Sequence, residues 1–425
     1  MNSRPLKPLQ KIDNQYIECT FADTYEKIAV QMEATSPEST LFLVGGGLSN
    51  EEMYLIQRLA RGGVKSNALA SFEYLGRGDD FNFDKNDIVP YAELAVSSHF
   101  FIFAFDDDNN HPEFCKIKAI AREQQIPCTY TNSFFLSAQV DYYALFRAMN
   151  HYLIKHDKAK GIFINGIGKN YAPYQEALMK EDYAKLLAQA NSTEEELIRF
   201  TETILREDTP VLAFRERDFS SRAIKEMINF AMLIEIQTKT GSGLIGIKES
   251  INSQGLFDMG IFPSLCPGGE TWNEDNKKLA ESLWQTSMVC ASTDVYQNLQ
   301  QGKYQNILLF GNMGIPDTFQ SLIQAIPFKV NHTTKIKKTD TWADIILPAS
   351  ELEETGGSYT DSTRMAHSVA PTQTCPIALN NLSQFSLLGE RFGLPKLDNK
   401  DDIFLEYVSF FHAGCKSASR HFFTI

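Results

Sequence analysis

The stretch from Asn252 to Gly269 reads NSQGLFDMGIFPSLCPGG, with the amides of Asn252 and Gln254 and the carboxylate of Asp258 set among glycines. Glycine suits positions where φ is positive or where the backbone must come close to something else. A loop of this make-up is shaped to hold a ligand. Three other stretches offer related chemistry. Gly45 to Gly47 form a triplet between an apolar run and a helical pattern, where backbone N–H groups and a helix dipole can cradle a phosphate. The triplet matches neither GxGxxG nor a P-loop, and a plain tight turn is the other reading. Gly311 and Asn312 follow the apolar run NILLF, where a nucleotide or an ordinary strand–helix turn fits equally. Asp361 and Arg364, in SYTDSTR, can hold a guanine-like edge and an oxyanion, or can simply pair with each other at the surface.

The elements that must position these loops repeat one pattern. STLFLV runs into GGGLSNEEMYLIQRLARGG, in which Met53, Leu55, Ile56, Leu59 and Ala60 keep helical spacing and Ser49 or Asn50 caps the start. HFFIFAF, PVLAF and NILLFG each lead through a polar or glycine-bearing loop into a helical pattern. ADIILPA reads as a further buried strand, closed by Pro348. Strands alternating with helices predict an α/β fold with doubly wound parallel sheets, whose ligands bind at the carboxyl ends of the strands.

Composition narrows the classes. The 425 residues suit two to three domains, and 43% hydrophobic and 12% aromatic residues supply a core. A net charge of −13 argues against a general nucleic-acid binder. No apolar run is long enough for a membrane span, and the first residues lack the apolar core of a signal peptide. The seven cysteines, Cys19, Cys115, Cys128, Cys266, Cys290, Cys375 and Cys415, form no CxxC pair or tight cluster. Reduced thiols in a cytoplasmic protein are expected, and the close spacing that an iron–sulfur cluster needs is absent.

Several of these motifs, in order, resemble the molybdopterin oxidoreductase family. ADIILPASELEETGGSYTDSTRMAH is similar to that family's ADVVLPA…E…GTFTN…R segment, and NSQGLFDMGIFPSLCPGG to the NxQGxxDMGxxPxxxPG loop of formate-dehydrogenase-like members. LFLVGGGLSNEEMYLIQRLAR resembles the family's early strand, glycine loop and NEExY helix, and SRPLKPLQKIDNQ its RxxKPL lead-in. The likeness spans residues 3 to 370. It implies two interleaved Rossmann-like subdomains, one of residues 1–72 plus 262–375 and the other of 73–261, with 376–425 as a C-terminal tail. The same family includes catalytic formate dehydrogenases and the large peripheral-arm subunit of respiratory complex I.

The departures from the family pattern carry equal weight. RxxKPL stands at the start of the chain, so the family's cysteine-rich cluster module is expected to be missing. In KSNALASFEYLGRG, Leu75 and Gly76 fall where the resemblance places the metal ligand and its histidine. Leucine has no lone pair for a metal. The family's GSNPxxxHP loop becomes AFDDDNNHP, which keeps His111 and Pro112 but puts Asp106, Asp107 and Asp108 where an anionic cofactor would lie. Its VDPRRT becomes YTNSFF around Asn132, and Asn331 replaces the acid of VxDxFxTET. After Cys375 the family's closing barrel is likewise expected to be missing.

The expected function is a non-catalytic, structural or assembly subunit of a redox complex, with no catalytic residue, no metal ligand and no cofactor. Its partners would be flavin- or iron–sulfur-bearing subunits, with no nucleic acid and no direct membrane span. It would be cytoplasmic, or peripheral to a membrane through the complex. The alternative is an active molybdenum- or tungsten-pterin oxidoreductase with clusters on a partner chain, or a nucleotide binder. In that case molybdopterin guanine dinucleotide would be held by Gly45, Gly47, Asn252, Gln254, Asp258, Gly311, Asn312, Asp361 and Arg364.

Overall fold

The apolar runs become parallel strands. In the computed structural model, which describes residues 4–77, 80–83, 87–106, 109–136, 139–336, 342–413 and 423–424, the chain divides into two compact units. The first unit contains Met1–Gly76, Ser250–Asp361 and Ala366–Lys416, and the second contains Arg77–Glu249, Ser362–Met365 and Ser417–Ile425. The junctions therefore fall after residues 76 and 249, against 72 and 261 expected from the resemblance. The stretch read as a tail carries the helices Asn381–Arg391 and Lys400–Ala413, which extend the first unit. Asp107, Asp108 and Cys415 lie outside the described residues.

The strands are β1 (Leu9–Ile12), β2 (Gln15–Glu18), β3 (Thr40–Val44), β4 (Leu69–Ala70), β5 (His99–Phe103), β6 (Cys128–Tyr130), β7 (Pro210–Arg215), β8 (Gly243–Ile247), β9 (Asn306–Phe310), β10 (Phe328–Thr333), β11 (Ile345–Pro348), β12 (Gly357–Thr360) and β13 (Ala366–Val369). In the first unit seven strands form one sheet in the order β2-β1-β11-β10-β9-β3-β4. It is parallel from β11 to β4, and the β1–β2 hairpin joins β11 antiparallel. Strands β12 and β13 form a separate antiparallel pair. In the second unit four parallel strands lie in the order β6-β5-β7-β8.

The two sheets share one wiring. The chain leaves a central strand, β3 or β5, to a neighbour on one side, then returns across it to β9 or β7 on the other. The order reverses between β3 and β9 in the first unit and between β5 and β7 in the second. Such reversal points open a crevice at the carboxyl ends of the strands.

Burial explains why these runs are strands. All five residues of β3, β5, β8 and β9 are buried, as expected where helices cover both faces of a parallel sheet. In the second unit Phe100, Ile102, Val211, Ala213 and Ile245 pack with Phe114 and Ile117 from the helix Pro112–Glu123. In the first unit Leu41, Leu43, Ile307 and Leu309 pack with Leu75, Val295 and Leu299. Among the described residues no helix is long and apolar enough to cross a membrane.

Candidate functional site

The glycine-bearing loops of the first unit meet at its reversal point. Gly45 N–H donates to the carbonyl of Phe310 at 2.9 Å, which ties the end of β3 to the end of β9. Asn252 N–H donates to the carbonyl of Gly46 at 2.9 Å, which brings in the long loop. After the triplet, Ser49 caps the helix Asn50–Arg58 in a reciprocal box with Glu52. Glu52 also accepts from Asn381 Nδ2 at 2.7 Å, and burial pushes its carboxyl up to about 7.

The ligand-shaped loop bonds largely to the protein around it. Asn252 Nδ2 donates to Leu48 O at 2.7 Å and to Asn50 Oδ1 at 3.0 Å, and its Oδ1 accepts from Thr360 N–H at 2.7 Å. Gly255 answers why this loop is glycine-rich. A Cβ there would stand 2.3 Å from Asn252 Oδ1 and 2.4 Å from Asn50 Oδ1. Gln254 Nε2 donates to Asp258 Oδ1 at 2.9 Å, so two of the expected ligand-holding side chains hold each other. Arg61, fully buried, pins the loop's middle by donating to Gly260 O and Phe262 O at 2.8 Å each. Burial lowers its guanidinium to about 9 and raises the nearby Cys266 thiol to about 12.

Gly311 and Asn312 both adopt positive φ, +93° and +57°. Asn312 Oδ1 turns back to accept from Thr333 Oγ1 at 3.1 Å and from Thr334 N–H. A pocket of about 180 Å³ remains beside it, lined by Asn331, Thr334, Lys335 and Trp342 among others. Met313 packs so close to Gly45 that a Cβ at that glycine would sit 2.5 Å from Met313 Cγ. Gly47 has ordinary room, its nearest contact for a Cβ being Gly311 O at 3.6 Å. Asp361 pairs with His367 Nε2 at 2.7 Å. Arg364 belongs to the second unit, where it donates to Phe83 O.

One residue in the middle of this cluster escaped the sequence reading. Glu73, just after β4, reaches the glycine triplet. Its Oε1 accepts from Ser250 Oγ at 2.7 Å and, over a long 3.3 Å, from Gly46 N–H, while Oε2 accepts from Ser253 Oγ. Its place two residues before Leu75 is the sequence signal that points to it. Leu75 itself is 8% exposed and lies in the apolar cluster under the sheet. Tyr74 between them sets its ring edge against Phe257 and Phe262, at 4.7 and 5.6 Å.

These contacts test the fit of a pterin dinucleotide. A phosphate brought to the glycine triplet would meet the Glu73 carboxylate, a like charge at close range. A metal at the position of Leu75 would meet hydrocarbon. The residues present do not fit the cofactor at those two points. Among the described residues no three His, Cys, Asp or Glu side chains gather as a metal ion would need.

The second unit differs at its own reversal point. Beyond the ends of β5 and β7 lies an open cleft of about 630 Å³, lined by Ala104, Asn132, Asp141, Tyr143, Asp218 and Ser220 among others. Asp141 and Ser220 cap the helices Tyr142–Lys155 and Ser221–Ile234. Ala104 takes positive φ, +59°, and its N–H donates to the Tyr142 hydroxyl at 2.9 Å. Asn132 Nδ2 donates to Asp106 Oδ1 at 2.9 Å.

No family model matches the chain. A Staphylococcus aureus protein named as a formate dehydrogenase is 22% identical over 406 residues, which cover 85% of this chain and 40% of that protein. The alpha subunit of a formate dehydrogenase of Methanococcus maripaludis is also 22% identical, over 88% of this chain and 60% of its own length. The chain thus spans about half the length of these curated relatives. Among solved structures, acetylene hydratase from Pelobacter acetylenicus shares the fold, with a TM-score of 0.66 and 13% identity over 92% of this chain and 62% of that one. A chain from the formyltransferase/hydrolase complex of Methylorubrum extorquens matches with a TM-score of 0.54 and 8% identity over 88% of this chain and 96% of its own. The fold is therefore the α/β one expected. The two curated relatives are named as formate dehydrogenases, the class whose loop the stretch from Asn252 resembles.

Proposed function

We propose that this chain is a structural or assembly subunit of a multi-subunit redox complex, built on a molybdopterin oxidoreductase scaffold and without redox catalysis of its own. The observation that carries the reading is Leu75, a core residue packed with Val295 and Leu299 at the position where the resemblance expects a metal ligand. Its burial contributes roughly 1.5–3 kcal/mol to the fold, so the site is committed to stability. Two neighbours add support. One relative is named as a subunit. A solved chain matched over 96% of its length comes from a multi-component complex. The partners proposed are flavin- or iron–sulfur-bearing subunits. A second reading, an active formate-dehydrogenase-type subunit with a molybdenum or tungsten pterin, draws on the names of the relatives.

Purification of the chain from its native cells, with its partners, separates the two. Metal analysis is expected to find neither molybdenum nor tungsten in stoichiometric amount on this chain, and flavin- or cluster-bearing subunits are expected to co-purify. One molybdenum or tungsten per chain, with formate-dependent reduction of a viologen dye, would overturn the proposal. Co-purification with transferase or hydrolase subunits alone would keep the assembly role and reject the redox complex.

A further inference from the structure

Beside the glycine triplet after β3, Gly46 and two serines form a set of donors that already holds a carboxylate. Three donors from two segments far apart in sequence converge on the Glu73 carboxylate: the N–H of Gly46 and the hydroxyls of Ser250 and Ser253. Ser250 N–H in turn donates to Ser253 Oγ at 2.9 Å, which orients that hydroxyl. The cradle is tight. A Cβ on Gly46 would lie 2.8 Å from Ser250 Cβ, 2.9 Å from Glu73 Oε1 and 3.0 Å from Ser253 Oγ. Backbone N–H groups and hydroxyls that converge on two oxygens of one negative group are the donor set that a phosphate takes.

We infer that the Glu73 carboxylate is a built-in occupant of an oxyanion site and excludes inorganic phosphate and phosphate esters from the first unit's crevice. Repulsion and volume act together. A second anion would meet the carboxylate's charge and would find its donors already engaged. Removal of the carboxylate with the donors kept leaves a site for one oxyanion, and phosphate is the class it suits. The inference is independent of the assembly role, since a subunit of either kind could carry such an occupant.

The test compares the full-length chain with Glu73→Ala, Glu73→Gln and the triple variant Glu73→Ala/Ser250→Ala/Ser253→Ala, each titrated with inorganic phosphate and followed by calorimetry and by thermal melting. Glu73→Ala is expected to bind one phosphate at least about tenfold more tightly than the native chain, a difference of about 1.4 kcal/mol. Phosphate should raise its melting temperature and leave that of the native chain unchanged. Glu73→Gln, which keeps the bulk and removes the charge, should gain less phosphate affinity than Glu73→Ala. The triple variant should lose the gained site. A folded Glu73→Ala with no gain in phosphate affinity would overturn the inference, as would a triple variant that still binds. If Glu73→Ala does not melt cooperatively, Glu73→Ser takes its place. If neither folds at any phosphate concentration, Glu73 is a structural brace and the inference falls. A parallel titration with guanosine monophosphate separates free phosphate from phosphate esters, and binding by either anion upholds the site.

Discussion

Two reversal points, wired alike, have met opposite fates. In the first unit Glu73 and Met313 pack against the glycine triplet in the crevice beyond β3 and β9, and a pocket of about 180 Å³ lies near Asn312. In the second unit the crevice beyond β5 and β7 stays open as a cleft of about 630 Å³. The sequence invites the reverse expectation, because the family-like motifs at Asn252, Gly311 and Asp361 belong to the first unit, while those around Asp106 and Asn132 in the second are worn away. Motif retention and open space are thus separate properties. Asn252 bonds to Leu48 and Asn50, and Gly255 leaves room for both amides, contacts that need no ligand.

The sharpest way to break the comparison is Leu75→Asp. If the first crevice floor is hydrocarbon core, a carboxylate there costs about 4 kcal/mol or more. An equally severe loss is not expected from Asn132→Ala in the open cleft, where the cost should stay within about 1 kcal/mol. Chemical denaturation of both variants decides it, and equal losses would refute the contrast. Next in size is Gly255→Ala. The added methyl must displace Asn252 or Asn50, and the expected loss is about 1–3 kcal/mol by the same measurement.

A third test uses pH. His332, on β10 of the first unit, is fully buried against Phe310 and Phe385, and burial lowers its imidazole to about 3 from a reference of 6.5. The unfolded chain takes up this proton below pH 6.5 and the folded chain does not until about pH 3. Stability from this group is therefore complete above pH 6.5 and is lost as the pH falls toward 3. His332→Leu should flatten the fall in melting temperature between pH 7 and pH 4, and an unchanged slope would contradict the assignment. The smallest effect is expected at Ala104, whose φ of +59° is strained for a side chain. Ala104→Gly should stabilise the second unit by less than about 1 kcal/mol, read from the denaturation midpoint.

Much of the fold was legible because its signals are local. STLFLV, HFFIFAF and NILLFG contain β3, β5 and β9, PVLAF is all of β7 but Arg215, and Ser49 caps the helix that follows its glycine loop. The site was legible in part. Gly45, Asn252 and Gly311 do converge at one sheet edge. What fills that edge was not legible. Glu73 lies 177 and 180 positions from Ser250 and Ser253, and no periodicity or motif marks a contact across that span. Asp361 pairs with His367, six residues on, a partner that the motif reading did not name.

The order in which the two sheets can close follows from how the chain is threaded. The second unit draws all four of its strands from one continuous stretch, β5 to β8, inside Arg77–Glu249. The first unit leaves β3 and β4 waiting until β9, β10 and β11 arrive more than 230 residues later. On a ribosome that delivers roughly 5–20 residues per second, β3 therefore stays without its β9 partner for on the order of ten seconds or more. During that interval the buried run TLFLV can pair with β4 alone, while the second unit's strands become complete. The newborn chain thus matures from its inserted middle outward, and its most apolar early strand is the segment a chaperone has most reason to shield.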